Sequence, residues 1–188
     1  FGEFNFGYNG AEKFAEKNRF GFFPSVGFGW IISNEKFFEK NIPQVNLLKL
    51  RYSYGLVGND GISSASDRFF YLSDVNLNNG NTGYSFGSNN NNYYNGFIVN
   101  RYANENVSWE IATKSNVGIE LGLFRKLNII ADIFTENRRD IYMERQFIPE
   151  TSGLTTVISS NIGEVKSNGF DLSLDFNQAF SGNFYITA

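Results

Sequence analysis

The stretch from Val107 to Leu123 reads VSWEIATKSNVGIELGL, and its alternation decides the fold. The odd-numbered positions carry mostly apolar side chains: Val107, Trp109, Ile111, Thr113, Ser115, Val117, Ile119, Leu121 and Leu123. The even-numbered positions are polar or small. A period of two is that of a β-strand, whereas a helix would scatter these apolar residues around its circumference. Since strands of soluble domains usually span roughly 3 to 10 residues, this stretch predicts an unusually long strand.

The same alternation recurs along the chain. It is found at residues 1–10, 20–32, 48–57, 127–136, 170–177 and 184–188. The connections at 58–106 and 145–161 are long, whereas those at 122–126 and 178–183 are short. If successive strands are antiparallel neighbours, both long connections leave one rim of the sheet and both short turns leave the other. The sequence therefore predicts an all-β, antiparallel fold of about seven strands.

Two architectures are compatible with this pattern. One is a soluble, secreted β-sandwich, such as an adhesin or a carbohydrate-binding module, whose apolar faces form a core. The other is a transmembrane β-barrel, whose apolar residues face lipid and whose polar residues face a wet lumen. The long ladders favour the barrel, as do aromatic residues near the strand ends, where membrane girdles occur. These are Trp30, Tyr52, Tyr54, Trp109, Phe170 and Phe176.

The barrel interpretation assigns a side to individual residues. We expect lipid to contact Ile111, Val117, Ile119, Leu172 and Leu174. We expect the lumen to be lined by Lys114, Glu120, Asp132, Asp171 and Asp175. Seven strands would leave two unpaired edges, which lipid does not tolerate. The chain is therefore expected to be one stretch of the wall of a larger barrel.

Composition narrows the chemistry. The 188 residues include neither His nor Cys, which excludes Ser-His and Cys-His catalysis, disulfides and zinc held by His or Cys. A pair of carboxylates such as Asp171 and Asp175, with Asp132 and Glu120 nearby, resembles the catalytic pair of a glycosidase. Placing these residues on the lumen side of the strands explains their spacing with fewer assumptions. We expect no enzymatic activity and no cofactor. Binding of a Ca²⁺ ion in the loop, at Asp60 or Asp67, is an alternative that the sequence leaves undecided. A net charge of −3 with no basic stripe argues against nucleic-acid binding.

The long connection at 58–106 holds the best ligand candidates. We predict a short strand at 68–75, followed by an Asn-, Gly- and Tyr-rich tract that forms a mobile or partly disordered surface loop. Aromatic faces stack on sugars, and Asn amides both donate and accept hydrogen bonds. The candidate cargo contacts are therefore Tyr71, Tyr84, Tyr93 and Tyr94.

Several segments resemble one family in order and spacing. They are RFGFFPSVGFGW at 19–30, LKLRYSYG at 48–55 with Gly58-Asn59, NENVSWE at 104–110, Asp132-Ile-Phe with Arg139-Asp-Ile141, and NIGEVKSNGF at 161–170. Together they resemble the late barrel of the SusC/RagA class of TonB-dependent outer-membrane transporters. The chain departs from that class at Glu105, where the family usually has proline before Trp-Glu.

This resemblance implies a bacterial outer-membrane protein with a barrel of about 22 strands around an N-terminal plug. It also implies a SusD-like surface lipoprotein as partner, energy supplied through TonB, and an oligosaccharide or peptide as cargo. Contact with membrane lipid and lipopolysaccharide follows from the same location. The plug and the TonB-contacting segment are expected outside these 188 residues.

Overall fold

The computed structural model describes residues 1–63, 67–154, 156–180 and 184–187, within which nine β-strands and one α-helix form. The strands are β1 (Gly2–Gly10), β2 (Phe20–Ile31), β3 (Val45–Asn59), β4 (Asp74–Phe86), β5 (Asn92–Arg101), β6 (Glu110–Leu123), β7 (Leu127–Glu144), β8 (Ser159–Phe180) and β9 (Phe184–Thr187). The helix α1 spans Lys36–Asn41, and single 3₁₀ turns lie at Glu16–Asn18, Ile32–Asn34 and Glu150–Ser152. Among the described helices, none has the length and apolar character needed to cross a membrane.

Seven strands form one antiparallel sheet in the order β1-β2-β3-β6-β7-β8-β9. β4 and β5 pair only with each other and form a separate two-stranded sheet, here called the outer hairpin. β3 pairs directly with β6, so the chain leaves the main sheet after Asn59 and returns to it at Glu110. The antiparallel all-β prediction is confirmed. The connections after β1, β3 and β7 leave one rim, here called the long-loop rim.

The two faces of the main sheet differ in chemistry. One face, the apolar face, exposes large side chains such as Val117, Ile133, Phe170, Leu172 and Leu174, with Phe170 78% exposed. Residues paired across antiparallel strands point to the same side, so the register keeps this face continuous. A β-sandwich would bury such a face under a second sheet. Within the described residues the only second sheet is the outer hairpin, so the sandwich alternative fails.

The buried core lies at the long-loop rim and not along the sheet. It consists of Ala11, Phe14, Phe23, Phe70, Val107 and Trp109, here called the rim cluster. The Phe14 and Phe23 rings each lie 5.3 Å from the Trp109 ring, and Phe14 is fully buried. The cluster therefore joins the β1–β2 connection, β2 and the β3–β6 connection.

The rim cluster corrects the sequence prediction for Val107 and Trp109. Both were assigned to the apolar ladder, and Trp109 to an aromatic girdle, but Val107 is 1% and Trp109 9% exposed. β6 begins only at Glu110. The segment before the strand has no regular structure, and its apolar side chains pack in the rim cluster instead of extending the ladder. Ile111 shares the apolar face but is half-buried against the same cluster.

The predictions for residues 68–75 and for the Asn-rich tract were also wrong. Residues 68–72 form a turn that places Phe70 in the rim cluster, and β4 starts at Asp74. The tract that follows is the outer hairpin. Its asparagines stabilise it locally, because Asn76 and Asn79 each accept a hydrogen bond from the main chain two residues on. Across the strands, Asn95 donates to Asn78 over 2.7 Å.

Candidate functional site

A chain of ion pairs crosses three strands on the polar face of the main sheet. Glu120 of β6 accepts a hydrogen bond from Lys49 of β3 at 3.1 Å and forms an ion pair with the Nε of Arg51, also of β3, at 3.1 Å. Arg51 reaches onward to Asp132 of β7, with both carboxylate oxygens within 3.1 Å of its Nη2. Gly118 lies between Arg51 and Asp132 in the register and leaves room for them, since a Cβ there would collide with the Asp132 carboxylate. The register of the three strands therefore brings these charged side chains together.

A second group lies nearer the long-loop rim. Glu136 binds Arg138 at 2.9 Å and Lys114 at 3.5 Å. Arg138 also reaches Glu110 at 3.3 Å, and Asn59 donates to the second oxygen of that carboxylate. Glu110 is 9% exposed, so its charge is compensated within the protein. The two ends of the long β3–β6 connection, Asn59 and Glu110, are thereby held together.

All five residues expected to line the lumen lie on this one polar face. Lys114, Glu120 and Asp132 are in the ion pairs described above. Asp171 lies directly opposite Asp132, and Asp175 opposite Asn128. Both of these aspartates are exposed, and neither forms a salt bridge within the described residues. The face is therefore charged along its length, with two exposed aspartates on β8.

The four tyrosines proposed as cargo contacts do not form one site. Tyr84 and Tyr94 are paired across the outer hairpin, and Phe86 lies beside both, with ring centroids 5.3 and 5.8 Å away. These three exposed rings form one surface, here called the aromatic surface. Phe86 was missed, although it follows Tyr84 at the two-residue spacing of a strand. Tyr71 lies before the hairpin and stacks edge-on against Phe69.

Tyr93 has a structural role. It is paired with Ser85, so it points away from the aromatic surface. Its hydroxyl donates to the Gly80 carbonyl and accepts from the Gly83 amide at 3.1 Å. Residues 80–83 bulge out of β4, as the shift in register between Asn79 and Tyr84 indicates. The hydroxyl therefore closes this bulge.

Replacing Tyr93 with Phe is expected to loosen the bulge without affecting the main sheet. Losing hydrogen bonds of this kind costs about 1 kcal/mol, which corresponds to roughly fivefold faster local opening. Hydrogen exchange at residues 80–83 in the intact protein measures this directly. Tyr84→Phe is the matched control, since its hydroxyl makes no hydrogen bond within the described part of the chain. Equal exchange rates in the two variants would contradict the assigned role.

Near Asp60, one of the two positions where the sequence leaves a loop Ca²⁺ open, the structure places a lysine. The Lys13 ammonium donates to the carbonyls of Asp60 and Ser63 at 3.3 and 3.2 Å. In the described part of the chain, no three acidic side chains converge in a way that would hold a metal ion. These two main-chain carbonyls thus already have a positive partner.

Known proteins match this chain in sequence and in fold. TonB-dependent receptor P39 of Formosa agariphila is 33% identical over 167 residues, which are 88% of this chain and 14% of that receptor. TonB-dependent receptor SusC of Bacteroides thetaiotaomicron is 30% identical over 182 residues, 96% of this chain and 17% of SusC. The structure of the RagAB peptide importer in the closed-closed state matches 99% of this chain and 19% of the solved chain, with a TM-score of 0.75 and 24% identity. No family model matches.

The main sheet is a stretch of transmembrane β-barrel wall. It is antiparallel, it exposes an apolar face opposite a charged one, and its long connections all leave one rim. The chain spans less than a fifth of the length of the curated relatives it matches. It belongs to the TonB-dependent receptors of the SusC/RagA type, which are outer-membrane proteins.

Proposed function

We propose that the chain forms part of the wall and external loops of a transporter that imports large nutrients across the outer membrane. The observation that supports this most directly is the opposite chemistry of the two faces of the main sheet. The apolar face suits lipid, and the ion-paired face suits an aqueous lumen or a plug. In this proposal Val117, Ile119, Leu172 and Leu174 contact lipid, and the long-loop rim faces the cell exterior.

The partners follow from the same assignment. The relatives named as TonB-dependent receptors support energy transfer from TonB, and the RagAB likeness supports a SusD-like lipoprotein on the outside. The long-loop rim is the surface available to such a lipoprotein. The proposed cargo is an oligosaccharide or a peptide: the RagAB peptide importer supports a peptide, and the resemblance to the SusC/RagA class implies either.

The aromatic surface of Tyr84, Phe86 and Tyr94 is proposed to contact the cargo first. Its rings are exposed, and residues 75–100 carry no charged side chain while ten of them are Asn. Rings and amides offer stacking and hydrogen bonds to neutral groups. Tyr93 is excluded from this role because its hydroxyl is engaged within the hairpin.

Uptake by cells that make the intact receptor tests the proposal. We expect fluorescently labelled oligosaccharides or peptides from a mixed panel to enter only when TonB is present and the inner membrane is energised. Tyr84→Ala combined with Tyr94→Ala should lower uptake, whereas Tyr93→Phe should not. Uptake that persists without TonB would contradict active transport through this protein.

A further inference from the structure

A cavity of about 580 Å³ lies between the base of the outer hairpin and the connection from β7 to β8. Its volume is in the range of about 300 to 1,000 Å³ typical of ligand sites. Phe70 and Arg101 line it on one side, and Tyr142, Arg145 and Ser160 on the other. None of the three rings of the aromatic surface lines it, so it is a separate site.

Two guanidinium groups in this cavity are held in place by the protein. The Arg101 group lies 4.1 Å from the centroid of the Phe70 ring, and its Nε donates to the Leu72 carbonyl at 3.3 Å. The Nε of Arg145 donates to the Ser160 hydroxyl at 2.9 Å. Within the described residues neither arginine forms a salt bridge. Their terminal amino groups are thus oriented but lack an acidic partner.

The other side chains that line the cavity limit the chemical class of ligand it can bind. Asp74 and Glu144 also line the cavity, which offsets the two positive charges and disfavours a densely charged anion such as a polyphosphate. The Asp74 carboxylate accepts from Asn100 at 3.2 Å. Burial raises the pKa of Tyr142, so this phenol adds no negative charge to the cavity. The cavity suits a mostly neutral molecule that carries a carboxylate.

We propose that this cavity binds a carboxylate group of the imported molecule through Arg101 and Arg145. A guanidinium matches a carboxylate with two parallel hydrogen bonds, and an aromatic ring behind the guanidinium fixes its plane. The inference rests on the proposed import function, since it names a feature of the cargo. Two sources share this chemistry: a uronic acid of an acidic oligosaccharide, and an acidic side chain of a peptide.

Calorimetric titration of the intact receptor in detergent tests the site with two matched pairs of probes. The first pair is a trisaccharide with a single galacturonate residue and the methyl ester of the same trisaccharide, and the second is a tripeptide with one central glutamate and its glutamine counterpart, both with blocked termini. We expect at least one acid to bind more tightly than its uncharged counterpart. Arg101→Gln and Arg145→Gln should each weaken the binding of that acid by about tenfold or more, and leave the uncharged counterpart unchanged.

Arg139→Gln is the control. Arg139 lies near the same rim, has a side chain that is 56% exposed, and contacts Asp140 at 3.7 Å. It does not line the cavity, so its loss should not affect binding. Arg101 contacts Phe70 of the rim cluster, so Arg101→Gln could fail to assemble. Arg145 has no part in that cluster, so Arg145→Gln still tests the site in that case.

Acid binding that depends on either arginine supports the site, and the acid that binds identifies the source. The inference is overturned if neither acid binds, if each acid binds no better than its uncharged counterpart, or if the glutamine variants match Arg139→Gln. Such a failure leaves the import function standing, because TonB-dependent uptake is measured separately.

Discussion

Trp109→Ala is expected to release the external loops from the long-loop rim. Trp109 contacts Phe14 and Phe23 and is nine-tenths buried, and truncating such an aromatic side chain costs about 3 to 5 kcal/mol. Hydrogen exchange in residues 11–19 and 103–109 of the intact receptor should therefore speed up by about a hundredfold or more. The main sheet beyond the rim should keep its protection, because the apolar face does not depend on this cluster.

Two tryptophan variants control this prediction. The Trp109 indole nitrogen is buried without a hydrogen-bond partner in the described structure, so Trp109→Phe removes only packing and should retain most of the protection. Trp30→Ala removes the other tryptophan of the chain, which is 51% exposed and donates to Glu35 at 3.1 Å. Its effect at the rim should be negligible. If Trp30→Ala and Trp109→Ala loosen the same loops equally, the rim cluster does not hold them.

Val117→Arg is expected to impair assembly of the barrel in the membrane. Val117 lies near the middle of β6 on the apolar face and is 53% exposed. An arginine on the lipid face costs about 2 to 4 kcal/mol at the bilayer midplane. The fraction of receptor that folds to a heat-modifiable barrel in the outer membrane measures this cost, and we expect it to fall severalfold or more.

The neighbouring residue provides the control, because adjacent strand residues point to opposite faces. Asn116 lies on the polar face between Ser53 and Phe134. Asn116→Arg introduces the same side chain one residue away, where its guanidinium can reach water and the surrounding carboxylates. Its assembly should stay close to wild type. Equal losses for Val117→Arg and Asn116→Arg would mean that the two faces do not differ in environment.

The strands and their faces were predictable because they depend on local patterns. The alternation within β6, β7 and β8 assigns each residue to a face without knowledge of the fold. The short turn after Leu123 also fixes the register of β6 on β7, so Lys114 opposite Glu136 follows from counting residues back from the turn. The family resemblance added the location in the outer membrane, which the relatives support.

The ion pairs between β3 and β6 were not predictable in this way. Arg51 reaches Glu120 and Asp132 across an insertion of about fifty residues, and no turn fixes the register of β3 on β6. The packing of the rim cluster was not predictable for a different reason. Trp109 and Val107 continue the strand alternation in sequence, and only the arrival of Phe14 and Phe70 from distant loops makes them a core.

The outer hairpin could not be predicted from amino-acid composition, because its composition is typical of disordered segments. An Asn- and Gly-rich tract buries little apolar surface, which normally predicts a loop. Here Asn76 and Asn79 instead accept hydrogen bonds from the nearby main chain, and Phe86 makes aromatic contacts with Tyr84 and, across the strands, with Tyr94. The alternation of Tyr84 with Phe86 was the available signal.

A nitroxide scan through residues 115–121 of the intact receptor in lipid tests the central claim most directly. Oxygen concentrates in the hydrocarbon region, and a water-soluble nickel chelate reports the aqueous side. The barrel assignment predicts that oxygen access is high at 117, 119 and 121 and low at 116, 118 and 120, with the opposite pattern for nickel. Equal access at all seven positions, or an alternation with the two reagents exchanged, would contradict it.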